Sequence, residues 1–353
     1  MVKQSSAKKN LKIILRAINV IVVVGFGIFL VWYLLGQVEV SSIIEAFLNI
    51  YRPTMILGLS MMFFDGFLRG YRSKILIGSE RIRLIDLFFV SHIRNAFNMV
   101  LPARTGELSY VYVLQKKFKF PVGIGASTLA IGLVFDLVIV FSLIIISIII
   151  VGIGRYAVSS AIVMLIAAAL LAASLCLLFF LSKIVGLSIK IINWVLVKTN
   201  WQKNKIISYV YQKLVDTNQN IKVIQARKIY GRVYVLSVII RIVKFSIYYF
   251  MIHSLMQPMG YGFAQLNYWT IFLATAAAEI SAVLPTHALA GLGTYEFAFV
   301  SVFTMLGFRE DIAIIVGFNY HIINLVFTVI LGILSTIILS MPFYKIRKMG
   351  QVL

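Results

Sequence analysis

Apolar residues run along the chain in blocks too long and too unbroken for a soluble fold. The runs 18–35, 129–153, 161–181 and 312–339 approach or exceed the roughly 20 residues that cross a bilayer as a helix. None shows the strict alternation of a barrel strand. The pattern therefore predicts an all-α, polytopic membrane helical bundle. Full spans are expected at 12–36, 53–78, 122–153, 157–182, 233–257 and 312–340.

Two further apolar stretches, 84–115 and 266–306, do not fit as straight spans. The first is interrupted by Leu101-Pro102-Ala103-Arg104-Thr105-Gly106-Glu107, the second by Leu284-Pro285 and then Gly291-Leu292-Gly293-Thr294-Tyr295-Glu296. Proline removes a helix donor and clashes with the preceding turn, while glycine permits tight reversals. Each stretch is expected to form two half-helices hinged at the break, with Pro102, Gly106, Pro285, Gly291 and Gly293 as the hinge. Both breaks share Val-Leu-Pro followed by glycine and then glutamate. Such a pair suits an inverted-topology repeat, and broken helices in corresponding halves point to a transport site at the bilayer midplane.

Charge orients this arrangement. Arg72, Lys74, Arg81 and Arg83 follow the second span, Lys116, Lys117 and Lys119 precede the third, and 183–232 holds ten Lys and Arg residues. The opposite loops offer only Arg52, Arg155 and Arg309. By the positive-inside rule both termini face the cytoplasm, with one re-entrant hairpin dipping in from each side. The chain is 61% hydrophobic and 13% charged with a net charge of +21, so the basic excess reads as loops facing anionic lipid and not as a nucleic-acid surface. Lys3, Lys8, Lys9, Lys12 and Arg16 precede the first run, and without a small-x-small cleavage site this start reads as an uncleaved span.

The chain reads as one integral-membrane domain over 1–353, with a first half at 1–182 and a second at 233–340. Between them lies a cytoplasmic amphipathic segment, 183–232, of which 200–230 is too polar to span. Ile206, Val210, Leu214, Ile221 and Ile224 recur there at helical spacing. An amphipathic helix fits either on the cytoplasmic leaflet or on the bundle's own end.

Ionisable groups inside a membrane are costly and mark partners or pathways. Around the first break stand Arg94, Asn98, Arg104 and Glu107, with Asp136 from the third span; around the second stand Glu279 and Glu296, with Arg241 and Lys244 one turn apart in the fifth span. These nine are the candidate substrate-binding residues. Each also has a plain reading. Arg104 and Glu107 suit a helix cap, Arg241 and Lys244 suit snorkelling to the surface, and Asp65 and Arg69 suit an i,i+4 pair. No HExxH, GxSxG, P-loop or CxxC is present, and His92, His253, His287 and His321 lack metal-ligand spacing. No catalytic residue, metal or cofactor is expected. Cys176, the single cysteine, reads as a packing residue.

The run Arg94-Asn95…Asn98…Leu101-Pro102…Arg104…Gly106-Glu107 with Gly132…Asp136, and Glu279…Leu284-Pro285…Gly291…Gly293…Glu296 before a final span, resembles the lysylphosphatidylglycerol synthase transmembrane region, a flippase-like family. The resemblance implies a lipid translocase that moves a phospholipid, such as an aminoacylated phosphatidylglycerol, or a lipid-linked substrate between leaflets of the cell membrane. In larger proteins of this type a separate domain transfers lysine from tRNA to the lipid. No such domain is recognised here, so the competing reading is a membrane component that serves a partner transferase for lysyl or glycosyl groups. The expected partners are a membrane phospholipid and anionic lipid at the cytoplasmic face.

Overall fold

The computed structural model describes residues 25–101, 105–151, 157–199, 201–281, 289–341 and 344, excepting the side chains of 157–161, Lys203 and Leu289. Among them are twelve α-helices. These are α1 (Gly25–Leu35), α2 (Val40–Leu48), α3 (Arg52–Ile77), α4 (Leu84–Val100), α5 (Glu107–Lys116), α6 (Val122–Val151), α7 (Ala157–Lys198), α8 (Lys205–Ala226), α9 (Tyr230–Met256), α10 (Tyr268–Ser281), α11 (Thr294–Met305) and α12 (Glu310–Ser340).

Four of the expected spans coincide with helices long and apolar enough to cross a membrane, α6, α7, α9 and α12. The first expected span is described only from Gly25, as α1, which meets α2 at an 82° bend. Helix α3 has 26 residues, about 39 Å at the α-helical rise, but it carries Asp65, Arg69 and Arg72 buried in its second half. One boundary differs from expectation. Helix α7 does not end near 182 but continues for 42 residues to Lys198, because no glycine–proline break interrupts 183–198.

Helices α3 and α9 lie antiparallel at the centre. Tyr51 N–H, just before α3, donates to Ser254 O late in α9 at 2.9 Å. At the other end Arg72 donates to Ser237 Oγ at 3.0 Å, and Arg227 donates to the Ile75 and Leu76 carbonyls at 2.8 Å each. That second end carries Lys74, Arg81, Arg83, Arg227 and Lys228 and is the basic end of the bundle. Tyr344, beyond α12, also reaches it, where its hydroxyl donates to Asp86 Oδ1 at 2.5 Å.

The two broken stretches fold as hairpins that open at opposite ends. Ile82 and Leu87 at the start of the α4–α5 hairpin share one cluster with Leu114, Phe118 and Phe120 at its finish, together with Leu339 near the end of α12. This hairpin therefore opens at the basic end. The α10–α11 hairpin opens at the other end, where Tyr261 before it and Phe308 after it bring their rings within 5.9 Å. The packing partners repeat as well. Helix α4 packs on α3, α5 and α12, and α10 packs on α9, α11 and α6. Helix α5 packs on α6 as α11 packs on α12. The correspondence is incomplete, since α6 lies closer to α9 than α12 does to α3.

Helix α8 packs on the bundle's own end through its second half only. Ile221 and Ile224 are buried against α3 and α6 at the basic end, whereas Ile206 and Val210 stay exposed. Gly123 at the start of α6 faces Asp216 and Asn220 of α8, and Gly186 of α7 faces Asn218. The 12 residues from Gly186 to Lys198 therefore carry the α7–α8 arm about 18 Å past the start of α6.

Candidate functional site

Every charge buried in this bundle needs a partner, because an ionised side chain at the centre of a spanning helix costs about 2.5–3.5 kcal/mol. The partners are found around one cavity of about 180 Å³ between the two hairpins and the α3–α9 pair. Helix α3 contributes Asp65, Arg69 and Arg72; α9 contributes Arg241, Lys244 and Tyr248; α4, α5, α6 and α10 contribute Arg94 and Asn98, Glu107, Asp136 and Glu279.

The ion pairs Arg72–Asp136–Arg241–Glu279–Lys244 form a chain that joins the halves. Asp65 pairs with Arg69 one turn on, as the i,i+4 spacing predicts. Asp136 accepts from Arg72 on α3, at 3.2 Å to Nη2, and pairs with Arg241 on α9 at 3.1 Å. Arg241 reaches on to Glu279 at 3.4 Å. Glu279 also pairs with Lys244 and accepts from the Tyr248 hydroxyl at 3.0 Å. The snorkelling reading of Arg241 and Lys244 is thereby corrected. Arg241 is buried and its guanidinium is turned inward, because Asp136 and Glu279 offer it better partners than a distant surface.

Arg94 and Glu107 face each other across the α4–α5 hairpin at 3.7 Å, too far for a hydrogen bond. Glu107 instead accepts from Asn98 Nδ2 at 2.7 Å. Arg94 Nε, Asn98 Oδ1 and Glu107 Oε2 are buried without a hydrogen-bond partner, as are Asp65 Oδ1 and Arg241 Nε. Buried polar atoms are normally satisfied. Several unmet donors and acceptors around one cavity suit a polar occupant such as water or a charged headgroup.

At the other hairpin Glu296 is fully buried. Its Oε2 accepts from Gly293 N–H at 2.7 Å, closing the first turn of α11, and its Oε1 lies 2.6 Å from His321 Nδ1 on α12. The imidazole of His321 stacks on Tyr295 with ring centroids 4.3 Å apart and borders the cavity.

Glycine is required at both breaks for different reasons. Gly106 has an ordinary φ of −57°, but a Cβ there would lie 2.2 Å from Asn98 N and the Phe97 carbonyl carbon. Gly293 has φ +89°, and its Cβ would lie 2.3 Å from the Gly27 carbonyl oxygen. Gly291 also has a positive φ, +74°. Pro102, Arg104, Pro285 and His287 lie outside the described residues.

Of the nine candidates, seven border the cavity. Glu296 stands behind His321, and Arg104 is not described. Sequence reasoning missed Arg69, Arg72 and His321. Arg72 was counted with the basic residues that follow the second span, although the expected span at 53–78 contains it, and in α3 it faces inward, 4% exposed. The signal was present, since Arg69-x-x-Arg72 on α3 matches Arg241-x-x-Lys244 on α9. Among the described residues no group of three or more His, Cys, Asp or Glu side chains could hold a metal ion.

No curated protein matches the chain. The family description "Lysylphosphatidylglycerol synthase TM region" matches residues 18–332, a stretch that contains both hairpins and every side chain of the ion-pair chain. This multi-pass bundle therefore belongs to the family of the lysylphosphatidylglycerol synthase transmembrane region.

Proposed function

We propose that the protein carries a phospholipid or lipid-linked substrate between the leaflets of the cell membrane, with the charged cavity as the site for its headgroup. The observation that carries this reading is the shared carboxylate of Asp136. It is held at once by Arg72 from the first half and Arg241 from the second. A phosphate entering the cavity is the natural competitor for both guanidiniums, since arginine binds phosphate and carboxylate in the same planar geometry. Displacing Asp136 would loosen the ion pair with Arg241 that ties the first half to the second, which is the change an alternating-access carrier needs.

Size supports the same reading. A cavity of about 180 Å³ accepts a headgroup phosphate with its nearest substituents, while the acyl chains remain in the surrounding lipid. The hairpins, opening at opposite ends, give the headgroup an approach from either side. With the basic end at the cytoplasm, as loop charge argues, both chain ends lie inside and the α7–α8 arm meets anionic lipid or a partner on that face. No nucleotide-binding motif is present in the sequence, so the work is assigned to an ion gradient, the membrane potential or downhill lipid flow.

The test is leaflet exchange of fluorescent phosphatidylglycerol in proteoliposomes. Asp136→Asn and Arg241→Gln are each expected to lower the protein-dependent rate by about tenfold or more, the equivalent of about 1.4 kcal/mol in the barrier. Unchanged rates in both variants would remove the cavity from the transport path. A second reading, service to a partner transferase, is favoured by the exposed Trp194, Trp201, Ile206 and Tyr209 of the arm. Incubation with lysyl-tRNA and phosphatidylglycerol tests both at once: lysyl transfer by this chain alone would contradict each of them.

A further inference from the structure

The groups around the cavity divide into those with fixed charge and one pair whose charge depends on a proton. Arg69, Arg72, Arg94, Arg241 and Lys244 border the cavity with Asp65, Glu107, Asp136 and Glu279. Among the described residues, five cations thus meet four carboxylates. Arginine holds its proton under all ordinary conditions, and each of the four carboxylates stands beside a cation. Glu296 and His321 differ. Neither touches a lysine or arginine among the described residues, and their one ionic partner is each other at 2.6 Å.

Both are shielded from bulk water, at 0% and 1% exposure. Tyr295 covers one face of the imidazole, and the Tyr295 hydroxyl donates to Tyr320 Oη at 3.3 Å. On the α9 and α10 side the charged and titratable groups bordering the cavity are Arg241, Lys244, Tyr248 and Glu279, and on the α4 and α5 side they are His92, Arg94, Glu107 and Tyr110. Toward α1 and α2 the neighbours are backbone, the Gly27 carbonyl beside Gly293 and the Ile43 carbonyl that accepts from Asn319. The pair's net charge is −1 when the imidazole is neutral and zero when it is protonated. The cavity and pair together then change from neutral to +1 on taking one proton.

We propose that His321 and Glu296 form a proton site whose protonation is coupled to binding of an anionic headgroup, so that the carrier moves an anionic lipid together with a proton. The claim rests on the carrier reading above and deepens it by naming the co-substrate. Water in the cavity gives the proton to the imidazole, which then donates an N–H to Glu296 Oε1. The proton returns to water when the headgroup leaves. A +1 site favours an anion, and by linkage a bound anion must favour the proton by the same factor. The geometry assigns the carboxylate a holding role. Its second oxygen is bound by Gly293 N–H, so Glu296 stays in place while the imidazole changes charge. This Gly293–Glu296 turn also opens α11, placing the proton beside a hinge of the hairpin.

The test measures binding of dihexanoyl phosphatidylglycerol to the detergent-purified protein across about pH 5 to 8, where histidine changes charge. A parallel titration in weak buffer with an indicator dye counts protons taken up on binding. The expected result is affinity that weakens with rising pH, by up to about tenfold per unit for one linked proton, and uptake approaching about one proton per lipid. His321→Gln keeps a hydrogen-bonding amide beside Glu296 and is expected to bind with a flat pH profile and no uptake. Wild-type binding without pH dependence or proton uptake overturns the proposal, and so does a wild-type slope retained in His321→Gln. Should that variant not fold, the wild-type proton count alone decides. Proton-linked binding without leaflet exchange would refute the carrier reading and leave the proton site standing.

Discussion

At the tip of the α4–α5 hairpin, Glu107 accepts one hydrogen bond from Asn98 and faces Arg94 across 3.7 Å. At the tip of α10–α11, Glu296 accepts from Gly293 and meets His321 at 2.6 Å. Both carboxylates sit in the first turn of a half-helix, where negative charge complements the helix dipole. The first is left with unmet hydrogen-bonding capacity and the second is fully engaged. A half-satisfied polar cluster is costly in the empty protein, and a ligand that completes it recovers the difference. A satisfied buried pair does the opposite: it fixes local shape and resists exchange. The α4–α5 tip is thus suited to trading partners with a substrate, and the α10–α11 tip to holding its own geometry.

The largest expected effect comes from breaking the tight tip. Glu296→Ala strands the buried Gly293 N–H and takes away the imidazole's carboxylate partner, so a loss of about 3–5 kcal/mol is expected, read as a lower unfolding midpoint in detergent. Next come the hinge glycines. Gly293→Ala combines a left-handed φ with a backbone clash against α1, and should cost about 3 kcal/mol or more. Gly106→Ala has only the clash with α4 and should cost less in the same thermal assay. A reversed order would show that φ is not what distinguishes the hinges. The smallest stability effect is expected for Glu107→Gln, about 1 kcal/mol or less, because its pairing with Arg94 is already loose. Leaflet exchange should nevertheless fall severalfold in that variant. Equal stability losses for Glu107→Gln and Glu296→Gln would abolish the contrast between the tips.

The positions of both hairpins were legible because proline and glycine interrupt apolar runs at Pro102–Gly106 and Pro285–Gly293, a local signal that needs no tertiary knowledge. The ends at which they open followed from loop charge for the same reason. Arg72 was misplaced because lysine and arginine after an apolar run look alike whether they face water or a carboxylate 64 residues away. Only packing shows that Asp136 stands opposite. His321 was passed over because a lone histidine in an apolar helix carries no sign of Glu296, 25 residues earlier on another helix. The run-on of α7 escaped notice because lysines at 183 and 190 look like a helix exit when they need only face outward.

The distribution of partners for α3 has a consequence for how the chain is made. Asp65 and Arg69 neutralise each other within the helix as soon as it forms, but Arg72 finds Asp136 only after 64 more residues and Ser237 only after 165. During synthesis α3 must therefore wait with an uncompensated guanidinium, at a cost of about 2.5–3.5 kcal/mol if it sits at the bilayer centre. Its stable placement is a late event of biogenesis that depends on α6 and is completed by α9. A nascent chain truncated before α6 should hold α3 at the translocon or leave it partly extruded, and the same helix should become firmly inserted once Asp136 has emerged.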